Sequence, residues 1–149
     1  DLLVALYRKF VDEAHGKGLK VIMDLVINHT SDQHEWFKEF VKAHQNNDRS
    51  NPYYEYYAYA QNDSIPANLR FKGIPGTNES YECNFSDNMP ELNFSNEQVK
   101  EEVYNIAKFY LDKGIDGFRF DASKYVYMND KNASIAFWND YCSRGEVEG

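Results

Sequence analysis

Cysteine is scarce. Cys83 and Cys142 are the only two in 149 residues, and they lie far apart in the chain. That excludes a disulfide framework and a cysteine-based zinc cluster and leaves two free thiols. Positive charge is also short, with 16 Lys and Arg against 24 Asp and Glu for a net charge of −8. A surface so acidic, with no basic aromatic patch, does not suit a phosphate backbone, so nucleic acid is excluded as a partner. No apolar run is long enough to cross a bilayer. The opening Asp1-Leu2-Leu3-Val4 lacks the basic region that leads a signal peptide. There is no glycine-rich phosphate loop, and His34-Glu35-Trp36-Phe37-Lys38 lacks the final histidine of the zinc-protease pattern. Chance accounts for most of the N-x-S/T triplets in a chain this rich in Asn and Ser, so the compartment stays open, cytoplasmic or secreted. What the chain has in abundance is aromatic side chains, at 16 % with twelve tyrosines. A tyrosine ring offers a flat apolar face with a polar tip, equally suited to packing a loop-rich region and to stacking on a sugar.

Apolar periodicity organises the rest. Leu2, Leu3, Leu6, Phe10, Val11 and Ala14 recur at helical spacing over residues 2–15, and Gly16 and Gly18 supply the stop. The run Leu19 to Ile27 is apolar on both faces, as a buried parallel strand is, with Asp24, Val26 and Asn28 on one face. Residues 30–92 are polar, aromatic and turn-rich, with no long regular element and one short helix expected over 35–43. A stretch that long inside a compact domain is usually functional or a small subdomain. Ser95-Asn96-Glu97-Gln98 has the form of a capping box for a helix that carries Val99, Val103, Ile106, Tyr110 and Leu111 and stops at Gly114. A strand over 115–121 follows, then a helix from about 132. His15, His34 and His44 are expected in solvent. Helix, strand, insertion, helix, strand, helix is the order of parallel strands joined by crossovers. Periodicity leaves a closed (β/α)8 barrel and an open sheet as alternatives.

The stretch Gly117-Phe118-Arg119-Phe120-Asp121 carries the chemistry. On a strand, Arg119 and Asp121 share one face while Phe118 and Phe120 share the other. A guanidinium beside a carboxylate favours its ionised form, and an oriented, ionised carboxylate is the nucleophile of a covalent glycosidase.

Three stretches in this order resemble the short signature regions of the α-amylase family of glycoside hydrolases. Asp24-Leu25-Val26-Ile27-Asn28-His29 is similar to the region at the end of the third barrel strand. Gly117 through Tyr125 is similar to the region after the fourth, and Met89-Pro90-Glu91-Leu92-Asn93 to the one that closes the inserted domain. The stretch Thr30 to Phe37 and Asn51-Pro52-Tyr53 resemble the start of that insertion in bacterial members. The resemblance covers nearly the whole chain.

It implies an α/β fold that is part of a (β/α)8 TIM barrel. Residues 1–29 would be a barrel segment with the third strand, 30–92 an irregular inserted subdomain, and 93–149 a barrel segment with the fourth strand. The remaining strands are expected outside this stretch, and an open quarter-barrel is not expected to be stable or active alone. The resemblance further implies Asp121 as nucleophile and Arg119 as the group that holds it ionised. His29 would bond the sugar, Lys124 would bind substrate, and Asp24 would be a carboxylate behind the site. Glu146, within Gly145-Glu146-Val147, would be the general acid. Asn28, Glu91 and the Tyr125 carbonyl would be ligands of a Ca2+ ion, and no organic cofactor is expected. Glu91 departs from the family's usual aspartate, and Tyr125 from its usual histidine. Ala122 is the residue that accompanies α-1,4 preference in the family. The implied reaction is retaining hydrolysis of α-1,4-glucosidic bonds in starch-derived malto-oligosaccharides or α-glucans. Glucosyl transfer or isomerisation at the same site and a non-catalytic transporter subunit are the alternatives.

Overall fold

The computed structural model describes residues 2–144. They form two compact units: residues 2–26 with 101–144, and Ile27–Lys100.

In the first unit, helix α1 (Leu2–Gly16) leads into β1 (Ile22–Asp24), most of α3 (Glu97–Leu111) leads into β5 (Gly117–Arg119), and α4 (Lys131–Arg144) follows. β1 and β5 pair in parallel, with Ile22 opposite Gly117, Met23 opposite Phe118 and Asp24 opposite Arg119. The ladder is extended at both ends, by Asp116 N–H to the Val21 carbonyl (2.8 Å) and Leu25 N–H to the Arg119 carbonyl (2.9 Å). Gly114 ends the α3 turn at φ +92°, and a Cβ there would stand 3.4 Å from Val11 Cγ1. The backbone sign calls for glycine, while a Cβ there would make only an ordinary contact with α1. Val11, Val103, Ala107, Ile115, Phe137 and Tyr141 are buried.

Both strands are shorter than the apolar runs that predict them. Ile22 is 67 % exposed, and Leu19 and Val26 are exposed too. The α1 stripe of Leu2, Leu3, Leu6 and Phe10 is likewise exposed, with Val11 alone buried. A strand apolar on both faces is buried only when layers cover it from both sides. Among the described residues, β1 has a ladder partner on one edge alone.

A carboxylate pins the amino-terminal end of this sheet. Asp116 Oδ2 accepts from Val21 N–H and from His15 Nε2, each at 2.7 Å, with Lys20 Nζ 3.5 Å from its other oxygen. These bonds, the Val21 amide first, lower the Asp116 pKa to about 2. A depressed carboxylate contributes stability that is present above its unfolded value near 3.8 and is lost as pH falls toward 2. In the complete protein, Asp116→Asn should therefore lower the unfolding midpoint at pH 5 and above. The difference from the wild type should shrink between pH 4 and pH 2. A difference that stayed constant over that range in thermal melts would rule out the pin.

In the second unit, residues 30–92 hold more regular structure than their sequence announces. α2 (Glu35–Gln45) falls where a short helix was expected. A 3-10 turn follows over Pro52–Glu55, and then β2 (Tyr59–Gln61), β3 (Phe71–Gly73) and β4 (Glu79–Glu82) form an antiparallel sheet in the order β2-β4-β3. Strands of three and four residues carry too few alternations to show a period. The interior is aromatic. Phe37 meets Tyr57 edge-on at 5.2 Å and Tyr81 at 4.9 Å, and Phe40 meets Tyr57 at 5.3 Å. Tyr54, Tyr57 and Tyr81 are thus core residues.

Of the three histidines expected in solvent, His15 and His34 are exposed and His44 is not. His34 Nδ1 caps α2 by accepting from Trp36 N–H at 3.1 Å, and His15 belongs to the Asp116 cluster. His44 is buried, stacked on Tyr54 at 3.9 Å, and bonded to the Glu79 carboxylate and to the Tyr54 carbonyl (2.9 Å). It ties α2 to β4 and to the 3-10 turn. The α3 cap also differs from the expected Ser95. Asn96 Oδ1 accepts from Gln98 N–H at 2.9 Å, one residue further along. No described helix is long and apolar enough to cross a membrane.

Candidate functional site

Two clusters stand out, one in each unit. In the first, register brings the chemistry together. Asp24 is opposite Arg119 in the β1–β5 ladder, and alternation puts Asp121 on the face of Arg119. The guanidinium bridges two carboxylates: Nη1 lies 3.0 Å from Asp24 Oδ2, and Nη2 lies 3.7 Å from Asp121 Oδ1. Arg119 was expected to serve Asp121 foremost, yet its nearer partner is Asp24. The parallel ladder sets Asp24 directly across from Arg119, while Asp121 lies just beyond the last strand residue. Asp121 Oδ1 also accepts the Ala122 N–H at 3.0 Å. All three side chains are exposed, at 57 % for Arg119, 64 % for Asp24 and 62 % for Asp121. Phe118 and Phe120 stand together as alternation requires, with ring centroids 5.8 Å apart. Phe120 also packs on Trp138 of α4 at 4.7 Å.

The residue after Asp121 is strained. Ala122 adopts φ +55° and ψ +25°, a left-handed conformation that costs a non-glycine residue roughly 1–2 kcal/mol. This bend, three residues past the end of β5, starts the 3-10 turn Ser123–Tyr125. Lys124 Nζ lies 4.9 Å from the centre of the Tyr125 ring. Lys124 has no carboxylate partner among the described residues.

The second cluster is buried. Residues 28–30 run antiparallel to 90–92, with Leu92 N–H on the Asn28 carbonyl (3.0 Å) and Thr30 N–H on the Pro90 carbonyl (3.2 Å). That pairing sets Asn28 beside Glu91, 63 positions on, and Asn28 Nδ2 donates to Glu91 Oε2. Asn28 is 2 % exposed and Glu91 4 %. Burial, with help from the charge of Glu82, raises the Glu91 pKa to about 8 against the pull of the Asn28 bond. Burial raises Glu82 as well. Asn28 Oδ1 and Glu91 Oε1 are buried without a hydrogen-bond partner among the described residues. His29 packs against Phe85 at 5.4 Å, and burial lowers its pKa, which favours the neutral imidazole at pH 7.

Of the residues singled out in the sequence, Asp24, Arg119, Asp121, Lys124 and Tyr125 belong to the first unit, and Asn28, His29 and Glu91 to the second. Glu146 lies outside the described residues. Glu82 and Trp138 were missed. Glu82 joins the buried acids through the short strand β4, which has no legible period. Trp138 sits on the expected third helix, but that it turns toward the Asp121 loop is a property of packing.

Comparison with known proteins bears on these clusters. The family model for the alpha amylase catalytic domain matches residues 5–141. Alpha-amylase 3 of Dictyoglomus thermophilum is 38 % identical over 138 residues, which are 92 % of this chain and 26 % of that protein. Oligo-1,6-glucosidase of Heyndrickxia coagulans is 41 % identical over 136 residues, covering 82 % of this chain and 24 % of its own. The crystal structure of Bacillus licheniformis trehalose-6-phosphate hydrolase superposes with a TM-score of 0.83 at 28 % identity, covering 94 % of this chain and 29 % of that one. The chain belongs to the alpha-amylase family of glycoside hydrolases. It spans about a quarter of the length of the curated relatives it matches. That family membership implies a (β/α)8 barrel, of which the described residues hold a part with two parallel strands.

Proposed function

We propose that the protein carrying this segment is a retaining glycosidase of α-1,4-glucosidic bonds in malto-oligosaccharides or α-glucans, with Asp121 as nucleophile. The observation that supports this reading is the Asp24–Arg119–Asp121 bridge at the carboxyl end of a parallel strand pair, where α/β folds place their chemistry. In this reading β1 and β5 are the third and fourth barrel strands and residues 30–92 the inserted subdomain. Asp121 attacks the anomeric carbon and the glycosidic C–O bond breaks. The leaving oxygen takes a proton from a second carboxylic acid, for which Glu146 is the candidate. Such acids stand about 5–5.5 Å from the nucleophile in retaining enzymes. Water then attacks the glycosyl ester, returns its proton to that acid and frees Asp121. Arg119 fixes the carboxylate, and the Ala122 N–H orients one of its oxygens. His29, held neutral, is a hydrogen-bonding residue for the sugar, and Lys124 is a second substrate contact.

Calcium suits part of the second cluster. The orphaned Asn28 Oδ1 and Glu91 Oε1 are hard oxygen donors of the type Ca2+ takes. When bound, the ion would supply cohesion, tying the 28–30 and 90–92 segments through those two oxygens. Tyr125 is proposed as a ligand from the family pattern alone.

The test is product analysis of the complete protein on maltotriose with NMR of the anomeric signals. The α-anomer is expected as the first product. A first-formed β-anomer would overturn the double-displacement reading. Longer oligosaccharides accumulating in place of glucose and maltose would favour glucosyl transfer.

A further inference from the structure

Residues 122–130 lead from Asp121 to α4, and two side chains of that helix tie them to it. Near the nucleophile, Trp138 Nε1 donates to the Ser123 carbonyl at 2.8 Å. Further along, Ser134 Oγ donates to the Tyr127 carbonyl (3.2 Å) and accepts from the Tyr127 N–H (3.3 Å). The Trp138 ring also packs on Phe120, with ring centroids 4.7 Å apart. One side chain therefore touches the residue before Asp121 and the residue two after it. The indole is braced from behind, edge-on against Phe137 at 5.2 Å and Tyr141 at 5.6 Å. Both of those residues are buried, and the Tyr141 hydroxyl donates to the Val103 carbonyl of α3 at 2.9 Å.

We propose that Trp138 is a positioning residue for Asp121, holding the left-handed turn at Ala122 and through it the direction of the nucleophilic carboxylate; this rests on the glycosidase reading above. An alanine at φ +55° stays left-handed only while its surroundings hold it there. The turn has two bonds of its own, the Ala122 N–H on Asp121 Oδ1 (3.0 Å) and the Tyr125 N–H on the Ala122 carbonyl (2.9 Å). Both lie within residues 121–125, so neither fixes the turn to the rest of the unit. The Trp138 bond does, from a helix position 15 residues past Ser123. Without it, Ala122 is free to relax toward the right-handed region. Its N–H then swings away from Asp121 Oδ1, and the carboxylate loses a fixed direction. Arg119 compensates poorly, because its guanidinium is 3.7 Å from Asp121 and nearer to Asp24 at 3.0 Å. Trp138 thus acts through the turn and not on the substrate.

The experiment uses the complete protein with maltotriose. Trp138→Phe keeps a ring against Phe120 and removes the N–H. It should lower kcat by about tenfold and leave KM within about twofold, as expected of a misdirected nucleophile. Ala122→Gly tests the cause, because glycine is left-handed without strain. In the Ala122→Gly background, Trp138→Phe should cost only about twofold in kcat, a coupling that a general loss of packing would not produce. Ser134→Ala breaks the tie further from the nucleophile and is the control. It should lower the melting temperature and leave kcat within about twofold. One readout needs no variant: by NMR, the Trp138 indole proton should exchange with solvent more slowly than that of free tryptophan. An unchanged kcat in Trp138→Phe, the same loss with and without Ala122→Gly, an equal loss of kcat in Ser134→Ala, or an indole proton as fast as the free amino acid's would each overturn the positioning role and leave the glycosidase reading standing. Wild-type protein inert on maltotriose would overturn both.

Discussion

Asp121→Asn should reduce turnover of malto-oligosaccharides by at least about 10³- to 10⁵-fold in the complete protein while substrate still binds. The amide is nearly the same size as the carboxylate and can still accept the Ala122 N–H, now 3.0 Å from Asp121 Oδ1. The loop geometry should therefore survive. What goes is the negative oxygen that forms the ester with the anomeric carbon. Binding by calorimetry and turnover by sugar release separate the two effects. A variant that hydrolyses within tenfold of the wild type would mean that another group makes the covalent bond.

Arg119→Met has the next largest expected effect, a loss of about 10²- to 10³-fold in kcat/KM. The guanidinium stands between Asp24 (3.0 Å) and Asp121 (3.7 Å) and, among the described residues, is the one cation that touches both. Methionine keeps most of the stem volume but leaves two carboxylates of like charge on one face of the sheet. All three side chains are exposed, so the stability change should be small, as for other solvent-screened pairs. The loss in rate comes from an unanchored nucleophile. Arg119→Lys should recover only part of the activity, because a point charge cannot fork to two carboxylates as a planar guanidinium does. Steady-state kinetics beside thermal melts check this. Equal losses of stability and rate, or full recovery by lysine, would assign Arg119 a different role.

The sequence is most legible where period and punctuation agree. α1 and α3 follow from apolar residues at helical spacing bounded by glycine or a capping amide, and α4 from its apolar spacing. The face shared by Arg119 and Asp121 follows from alternation, and the antiparallel sheet of the second unit from no local pattern. Its strands are three or four residues long, and their pairing is decided by an aromatic cluster around Phe37, Phe40 and Tyr57. For the same reason His44 reads as a surface residue and is in fact stacked on Tyr54. The cross-strand pairing of Asp24 with Arg119 joins segments 95 positions apart. Each residue could be picked out, but the nearness of Asp24 to the guanidinium depends on register, which needs both strands at once. The pairing of Asn28 with Glu91 likewise becomes physical only when residues 28–30 zip against 90–92.

Ala122 shows why a site departs from local preference. A left-handed alanine gives up stability that glycine would keep. In exchange, its N–H points at the carboxylate of Asp121, and the chain enters the 3-10 turn directly after the nucleophile.

The most direct measurement is covalent trapping. Incubating the complete protein with 5-fluoro-α-glucosyl fluoride should slow the second step, so that the glycosyl ester accumulates. Proteolysis and mass spectrometry should then place one added fluoroglucosyl group on Asp121 itself. Inactivation with the label on any other carboxylate, or steady turnover with no ester at all, would contradict the account.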